Sequence, residues 1–176
     1  MDLFVELPDG TSKHVPVSLN CSVRAATQSC VLRAGMTPVA SKLTEFSLAK
    51  KTDNQNPIID VRWLDEGQKL KDQGGDSGSL NLILLKKYYT TNTDIGLLGS
   101  SSVLLRHLYS QFRRSYVSGL YRCTRSEVAQ LSALIARAEF SLSELRPGSL
   151  QKTGRLEGIV PSFHYTSADI EQDILK

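Results

Sequence analysis

The sequence predicts an α+β protein in which strands surround one helix in the first half and a small helical bundle forms the second half. Three observations favour this fold class. Near the N-terminus, apolar and polar residues alternate, as they do in half-buried strands. Residues 80–86 (LNLILLK) are strongly apolar, which indicates a central, buried strand. Beyond residue 100, apolar residues recur at three- and four-residue spacing, which is typical of amphipathic helices.

The first two strands are predicted to form a β-hairpin. Leu3, Val5 and Leu7 fall on one face of the first strand, and a second alternating run follows at residues 14–19. Between them, residues 8–10 (Pro-Asp-Gly) have the chemistry of a tight turn, because proline fixes φ and glycine accepts a positive φ. Pro16 has no N–H to donate to a neighbouring strand, so the second strand is expected at an edge of the sheet.

One helix and two further strands complete the first half. Asn20 and Ser22 are both candidate N-caps for a helix with apolar residues at helical spacing as far as Ala34, and Gly35 is expected to end it. Strands are expected around residues 46–49 and over residues 80–86. This order of elements is that of a β-grasp, or ubiquitin-like, lobe, in which the last strand pairs in parallel with the first. We therefore assign residues 1–89 to this lobe.

The second half is predicted to be helical. Residues 90–102 are rich in Thr, Ser, Gly and Asn and are interpreted as a linker. A helix over residues 101–117 ends near Gly119, and Thr124 with Glu127 forms a capping box at the start of the next helix. A last helix begins around residues 166–169 and is only about two turns long. Residues 103–176 are therefore interpreted as a helical lobe that is incomplete in its last helix.

Composition and motifs argue against several classes of protein. The 176 residues are 40% apolar and carry a net charge of +3, which is typical of a folded soluble protein. No apolar run approaches the roughly 20 residues that a membrane span needs. The three cysteines and three histidines are too widely spaced for a disulfide framework or a metal site. Residues 75–78 (GDSG) resemble a protease nucleophile segment but have no partner motif. We expect no catalytic residue, no metal and no cofactor.

The distribution of charge is the most informative feature for function. Between Asp94 and Glu127 there is no acidic residue, whereas this stretch contains five arginines: Arg106, Arg113, Arg114, Arg122 and Arg125. Such a surface attracts anionic lipid headgroups at about 1 kcal/mol per basic residue. A solvated polar helix face is an equally good interpretation. The alternative is a nucleic-acid-binding module that uses the two arginine-bearing helices, although a net charge of only +3 argues against it.

Four stretches of the sequence carry a resemblance to a known family. They are residues 7–13 (LPDGTSK), residues 43–49 (LTEFSLA), residues 63–74 (WLDEGQKLKDQG) together with 82–89 (LILLKKYY), and the set Leu108, Tyr109, Gln111, Gly119, Glu139 and Phe140. On these stretches the chain resembles the FERM head of talins and, less closely, that of kindlins. The resemblance implies a ubiquitin-like FERM lobe followed by part of a FERM helical lobe.

The resemblance also implies a function and a set of binding residues. It implies a cytoplasmic, non-catalytic adaptor that is peripheral to the plasma membrane and cytoskeleton, that binds acidic phospholipid such as phosphoinositide, and that links receptor tails to actin. Lys152 matches a family lysine, whereas Glu127 stands where the family has a lysine. The third FERM lobe, which takes integrin tails in talins, is absent from these residues. The expected phospholipid-binding residues are Arg106, Arg113, Arg114, Arg122, Arg125 and Lys152. Tyr88 and Tyr89 are expected to pack between the lobes.

Overall fold

A computed structural model describes residues 2–36, 40–52, 60–74, 81–89, 101–164 and 169–176. These residues form two compact units, Met1–Gln111 and Phe112–Lys176, called the first and the second unit below. Three predicted features lie wholly or mostly outside the described residues: the linker, the GDSG segment and the start of the last helix. The predicted boundaries at residues 89 and 102 therefore stay predictions.

The first unit is built on a five-stranded mixed sheet. Its strands are β1 (Asp2–Glu6), β2 (Ser12–Pro16), β3 (Phe46–Lys51), β4 (Val61–Trp63) and β5 (Leu82–Lys86). The strand order is β2-β1-β5-β3-β4, in which β1 and β5 run parallel and the other neighbours run antiparallel. This is the predicted β-grasp arrangement, so the expectation of an α+β fold is confirmed.

The predicted hairpin is present in the expected register. Leu3 pairs with Val15 across β1 and β2, and β2 lies at an edge of the sheet, as Pro16 indicated. In the turn, Gly10 has a φ of 84°. One Asp9 carboxylate oxygen accepts hydrogen bonds from the backbone N–H and the hydroxyl of Thr11, at 3.1 and 2.7 Å. The turn is thus held by its own side chains as well as by the ladder.

One helix, α1 (Val23–Arg33), covers one face of the sheet. Ser22 is its N-cap, because the Ser22 hydroxyl accepts a hydrogen bond from the Ala25 N–H at 3.2 Å. The predicted apolar face is buried, and Gly35 follows the helix with a φ of 73°. Short 3-10 helices occupy Ala40–Glu45 and Leu70–Gln73. The core lies between α1 and the inward side chains of the strands.

The second unit is helical. Helix α2 (Ser102–Val117) starts in the first unit and continues into the second, and it is followed by α3 (Arg125–Glu139), α4 (Ser149–Lys152) and α5 (Ile170–Ile174). Three 3-10 turns lie at Leu142–Glu144, Arg155–Gly158 and Ser162–His164. None of the helices in the described ranges has the length and apolar character that crossing a membrane requires.

A buried hydroxyl network ties α2 to α3 and to the segment after them. Tyr116 is fully buried, and its hydroxyl donates to the Val128 carbonyl at 3.1 Å and lies 2.9 Å from the Ser132 hydroxyl. Ser132 in turn donates to the Ile159 carbonyl at 2.7 Å. Because these polar groups satisfy one another, they can be buried without the cost of unmade hydrogen bonds.

Helix α3 corrects one sequence-based expectation. The three- and four-residue spacing of apolar residues in this helix predicts one apolar face made of Val128, Leu131, Leu134, Ile135 and Ala138. However, the Leu134 side chain is 65% exposed, whereas Ile135 is only 2% exposed. Successive helical residues are about 100° apart, so Ile135 follows Val128 on the buried face and Leu134 points away from it.

Candidate membrane-binding surface

Arg106 lies over the hairpin turn of the first unit. Its side chain is 65% exposed, and its Nε lies 3.5 Å from an Asp9 carboxylate oxygen. The next residue, His107, is almost fully buried, and its Nδ1 lies 3.5 Å from the same oxygen without a hydrogen-bond partner. Burial raises the pKa of Asp9, but the Thr11 hydrogen bonds and the electrostatic influence of His107 and Arg106 outweigh burial, so the pKa lies below its ordinary value. Part of the Arg106 charge is therefore balanced locally.

We expect the stability of the first unit to fall as the pH is lowered through 6.5 toward the depressed pKa of His107. Burial lowers the pKa of His107 below its ordinary 6.5, an effect that Asp9 opposes and that Arg106 and Lys13 reinforce. The unfolded chain then binds a proton more readily than the folded chain does, so the free energy of unfolding decreases in this pH range. Thermal melts at several pH values measure the effect.

Two variants test the assignment to His107. Asp9→Asn removes the carboxylate charge that raises the pKa of His107, so we expect a steeper loss of melting temperature with falling pH. His107→Gln removes the titrating group, so the dependence over this range is expected to flatten. Equal slopes in all three proteins would show that another group controls the pH response.

Arg113 is engaged in an ion pair within the second unit. Its guanidinium contacts both carboxylate oxygens of Glu139 on α3, with Nε to Oε1 at 2.5 Å and Nη2 to Oε2 at 2.9 Å. The neighbouring Arg114 is partly buried on the same helix. A charge reversal at Arg113 would therefore place two carboxylates side by side, and it would disturb α2 and α3 as well as any lipid contact.

Arg125 is also paired, whereas Arg122 and Lys152 have no ion pair within the described part of the chain. The Arg125 guanidinium donates to one carboxylate oxygen of Asp173 from Nε at 3.0 Å and from Nη2 at 2.8 Å. Arg122 precedes α3, and Lys152 ends α4; both side chains are exposed and form no ion pair with the described residues. An anionic ligand can therefore bind these two cations without breaking an ion pair that the described residues form.

The capping box at the start of α3 is confirmed, and it reduces the positive potential there. The Glu127 N–H donates to the Thr124 hydroxyl at 3.4 Å, and the Glu127 carboxylate accepts from the Thr124 N–H at 2.7 Å. This backbone hydrogen bond is the main cause that lowers the pKa of Glu127. The carboxylate thus stays ionised where the sequence predicted an attraction for anions.

The structure identifies two exposed cations in the second unit that the sequence reasoning missed. Arg137 on α3 and Arg146 after it are exposed and have no ion pair with described residues. Both lie outside the stretch that lacks acidic residues, so its boundaries gave no signal for them. Within the described ranges, no group of three His, Cys, Asp or Glu side chains is placed to hold a metal ion.

The architecture of this chain is similar to that of known proteins. Residues 95–176 match the family model of the FERM central domain. The chain has a FERM-type fold. The same conclusion follows from solved structures, since a MyTH4-FERM domain (MF2) of Dictyostelium discoideum myosin VII superposes with a TM-score of 0.71 over 99% of the chain at 12% identity. No curated protein sequence gives a significant match.

Two further FERM structures are also similar to this chain. The human myosin 7b C-terminal MyTH4-FERM domain, solved with the harmonin-a PDZ3 domain, gives a TM-score of 0.65 at 21% identity. The FERM and C-terminal domain complex of Drosophila Merlin gives 0.65 at 12% identity. In all three comparisons, the similarity covers 99% of this chain. The chain spans only part of its relatives, namely 35% of the myosin VII chain, 36% of the myosin 7b chain and 57% of the Merlin chain.

Proposed function

We propose that the protein is a talin-like FERM adaptor whose second unit binds acidic phospholipid headgroups. The observation that carries this proposal is the set of exposed basic side chains without an ion pair among the described residues of that unit: Arg122, Arg137, Arg146 and Lys152. Near an anionic membrane, each such residue contributes about 1 kcal/mol of attraction. In this proposal Arg113 and Arg125 have a secondary role, because Glu139 and Asp173 already balance them.

The proposal includes protein partners at the cytoplasmic face of the plasma membrane. Two structural relatives were solved with protein domains, the harmonin-a PDZ3 domain for myosin 7b and the C-terminal domain for Merlin. By analogy, we propose that a cytoskeletal protein or a receptor tail binds this chain.

Charge reversal at Arg122 and Lys152, the two predicted residues with no ion pair in the described ranges, tests lipid binding. We expect Arg122→Glu combined with Lys152→Glu to weaken binding to vesicles that contain phosphoinositide by at least about tenfold. The matched control is Arg33→Glu with Lys69→Glu, which changes the net charge equally at exposed sites of the first unit. Co-sedimentation at low and physiological salt measures the effect, since screening must weaken a headgroup interaction.

Three results would contradict the proposal. Equal losses in the test and control variants would show a response to net charge rather than to this surface. Binding to neutral and anionic vesicles with equal strength would exclude headgroup recognition. Strong binding of a DNA duplex that falls steeply with salt, without binding to vesicles, would favour the nucleic-acid alternative instead.

A further inference from the structure

An ammonium group of the first unit lies between two exposed aromatic rings. The Nζ of Lys87 is 5.7 Å from the centroid of the Trp63 ring and 5.3 Å from that of the Tyr88 ring. The same Nζ lies 3.8 Å from a carboxylate oxygen of Glu66. Both ring distances are within the range of cation–π attraction. Two aromatic rings and one carboxylate therefore surround one positive charge, with Trp63 and Glu66 supplied by β4 and the turn after it and Tyr88 by the segment after β5.

The backbone holds this arrangement in place. Trp63 lies on β4 and pairs with Ala49 of β3, and the next residue continues the ladder because the Leu64 N–H donates to the Leu48 carbonyl at 3.1 Å. After β5, the N–H groups of Lys87 and Tyr88 both donate to the Glu45 carbonyl, at 2.7 and 3.3 Å. A site on ordered backbone loses little entropy when it binds a ligand.

The rings remain accessible from solvent. The Trp63 and Tyr88 side chains are 36% and 53% exposed, although aromatic side chains of this size are usually mostly buried. The Glu66 side chain is only 19% exposed, so its carboxylate is more shielded from water than the rings are. An exposed aromatic pair with a shielded carboxylate is an arrangement suited to a cation from outside the chain.

We propose that Trp63, Tyr88 and Glu66 form a binding site for an arginine side chain of a protein partner, and that Lys87 occupies this site when the partner is absent. This site is separate from the lipid surface proposed above. The flexible four-carbon stem of Lys87 lets its ammonium swing into water, where an ammonium is strongly hydrated. An arginine that replaces it gains a planar stacking contact that lysine cannot make.

Glu66 selects arginine over a choline headgroup. A guanidinium can stack on the Trp63 ring and donate N–H hydrogen bonds to the Glu66 carboxylate at the same time. A quaternary ammonium can contact the rings but has no N–H to donate. Glu66 also lies 3.6 Å from the Arg24 guanidinium, which is 61% exposed and thus only weakly competes for the carboxylate.

The test is a titration with an acetylated and amidated Gly-Arg-Gly peptide, followed by the fluorescence of Trp63. Trp63 is the only tryptophan in the chain, so the signal comes from the site itself. We expect Lys87→Met to raise the association constant about five-fold, because it removes the internal competitor. Lys69→Met, which alters an exposed lysine with no ring contact in the described chain, is the matched control and should leave it unchanged.

Further measurements distinguish an arginine ligand from a neutral side chain and from a quaternary ammonium. Glu66→Gln, which leaves Lys87 in place, is expected to weaken arginine-peptide binding several-fold. The same peptide with neutral citrulline should not bind, and tetramethylammonium, which represents choline, should bind more weakly and without dependence on Glu66. Equal binding of the citrulline peptide would overturn the proposal, as would an unchanged affinity in Lys87→Met or tighter binding of tetramethylammonium than of the arginine peptide.

Discussion

Replacing Gln111 with alanine is expected to destabilise the first unit by about 3 kcal/mol. The Gln111 side chain is 6% exposed and forms two hydrogen bonds with the backbone of Lys86 on β5. Its Oε1 accepts from the Lys86 N–H, and its Nε2 donates to the Lys86 carbonyl, both at 2.9 Å. The amide thus pairs with the end of β5 much as a neighbouring strand would.

The size of the effect follows from what the substitution leaves behind. Alanine has no polar atoms, so the N–H and carbonyl of Lys86 lose these partners in a buried place. Each buried backbone group left without a hydrogen bond costs about 1–3 kcal/mol. Truncation of the side chain also removes packing between α2 and the sheet.

Denaturant unfolding followed by Trp63 fluorescence measures this loss in the first unit. Gln111→Glu keeps one acceptor but removes the amide donor, so we expect an intermediate destabilisation. Gln130→Ala on α3 is the matched control, because Gln130 is an exposed helical residue, and its loss is expected to stay within about 0.5 kcal/mol. A Gln111→Ala protein as stable as the Gln130→Ala protein would contradict the assigned role. Faster hydrogen exchange at the Lys86 amide would support it.

Elements that depend on local sequence could be predicted from the chain alone. The hairpin, helix α1 and the capping box of α3 each rest on residues within a few positions of one another, such as Ser22 with Ala25 or Thr124 with Glu127. Strand β4 was missed because it has only three residues, too few to show alternation. Tyr88 and Tyr89 were expected to be packed away, but their side chains are 53% and 52% exposed.

The candidate site was harder to predict because its charges are balanced over long distances in sequence. Arg125 pairs with Asp173, 48 residues away, and Arg113 pairs with Glu139, 26 residues away. A stretch without acidic residues therefore does not show which arginines are unpaired in the fold. Lys86 gives the opposite case, since a lysine that ends an apolar strand would be expected in water, yet its side chain is fully buried.

The second large expected effect concerns the ion pair of buried Lys86. We expect Glu45→Ala to destabilise the first unit by about 3–5 kcal/mol. The Lys86 ammonium is paired with the Glu45 carboxylate, and it lies 5.3 Å from the centroid of the Tyr89 ring. Removing the carboxylate takes away the opposite charge that Glu45 supplies to a desolvated ammonium. The ring attraction, worth about 2 kcal/mol when desolvated, offsets only part of that cost.

A double-mutant cycle separates the charge from the packing. Lys86→Met has a similar length and no charge, so the combined Glu45→Ala and Lys86→Met protein is expected to recover to within about 1 kcal/mol of the unmodified chain. Lys86→Met alone is expected to cost less than Glu45→Ala, because the Glu45 side chain is 16% exposed and its carboxylate can take up water.

One result of the double-mutant cycle would contradict the expected coupling between the two charges. If the two single substitutions and the double substitution were additive, the pair would contribute nothing through its charges, and Glu45 would act only through packing. A strong coupling would instead show that the ion pair fixes the end of β5. Residues 87 and 88 follow directly and donate both of their N–H groups to the Glu45 carbonyl. If the backbone at residue 45 becomes less ordered when the Glu45 side chain is removed, the aromatic site around Lys87 also becomes less ordered. Trp63 fluorescence would detect this change in the same samples.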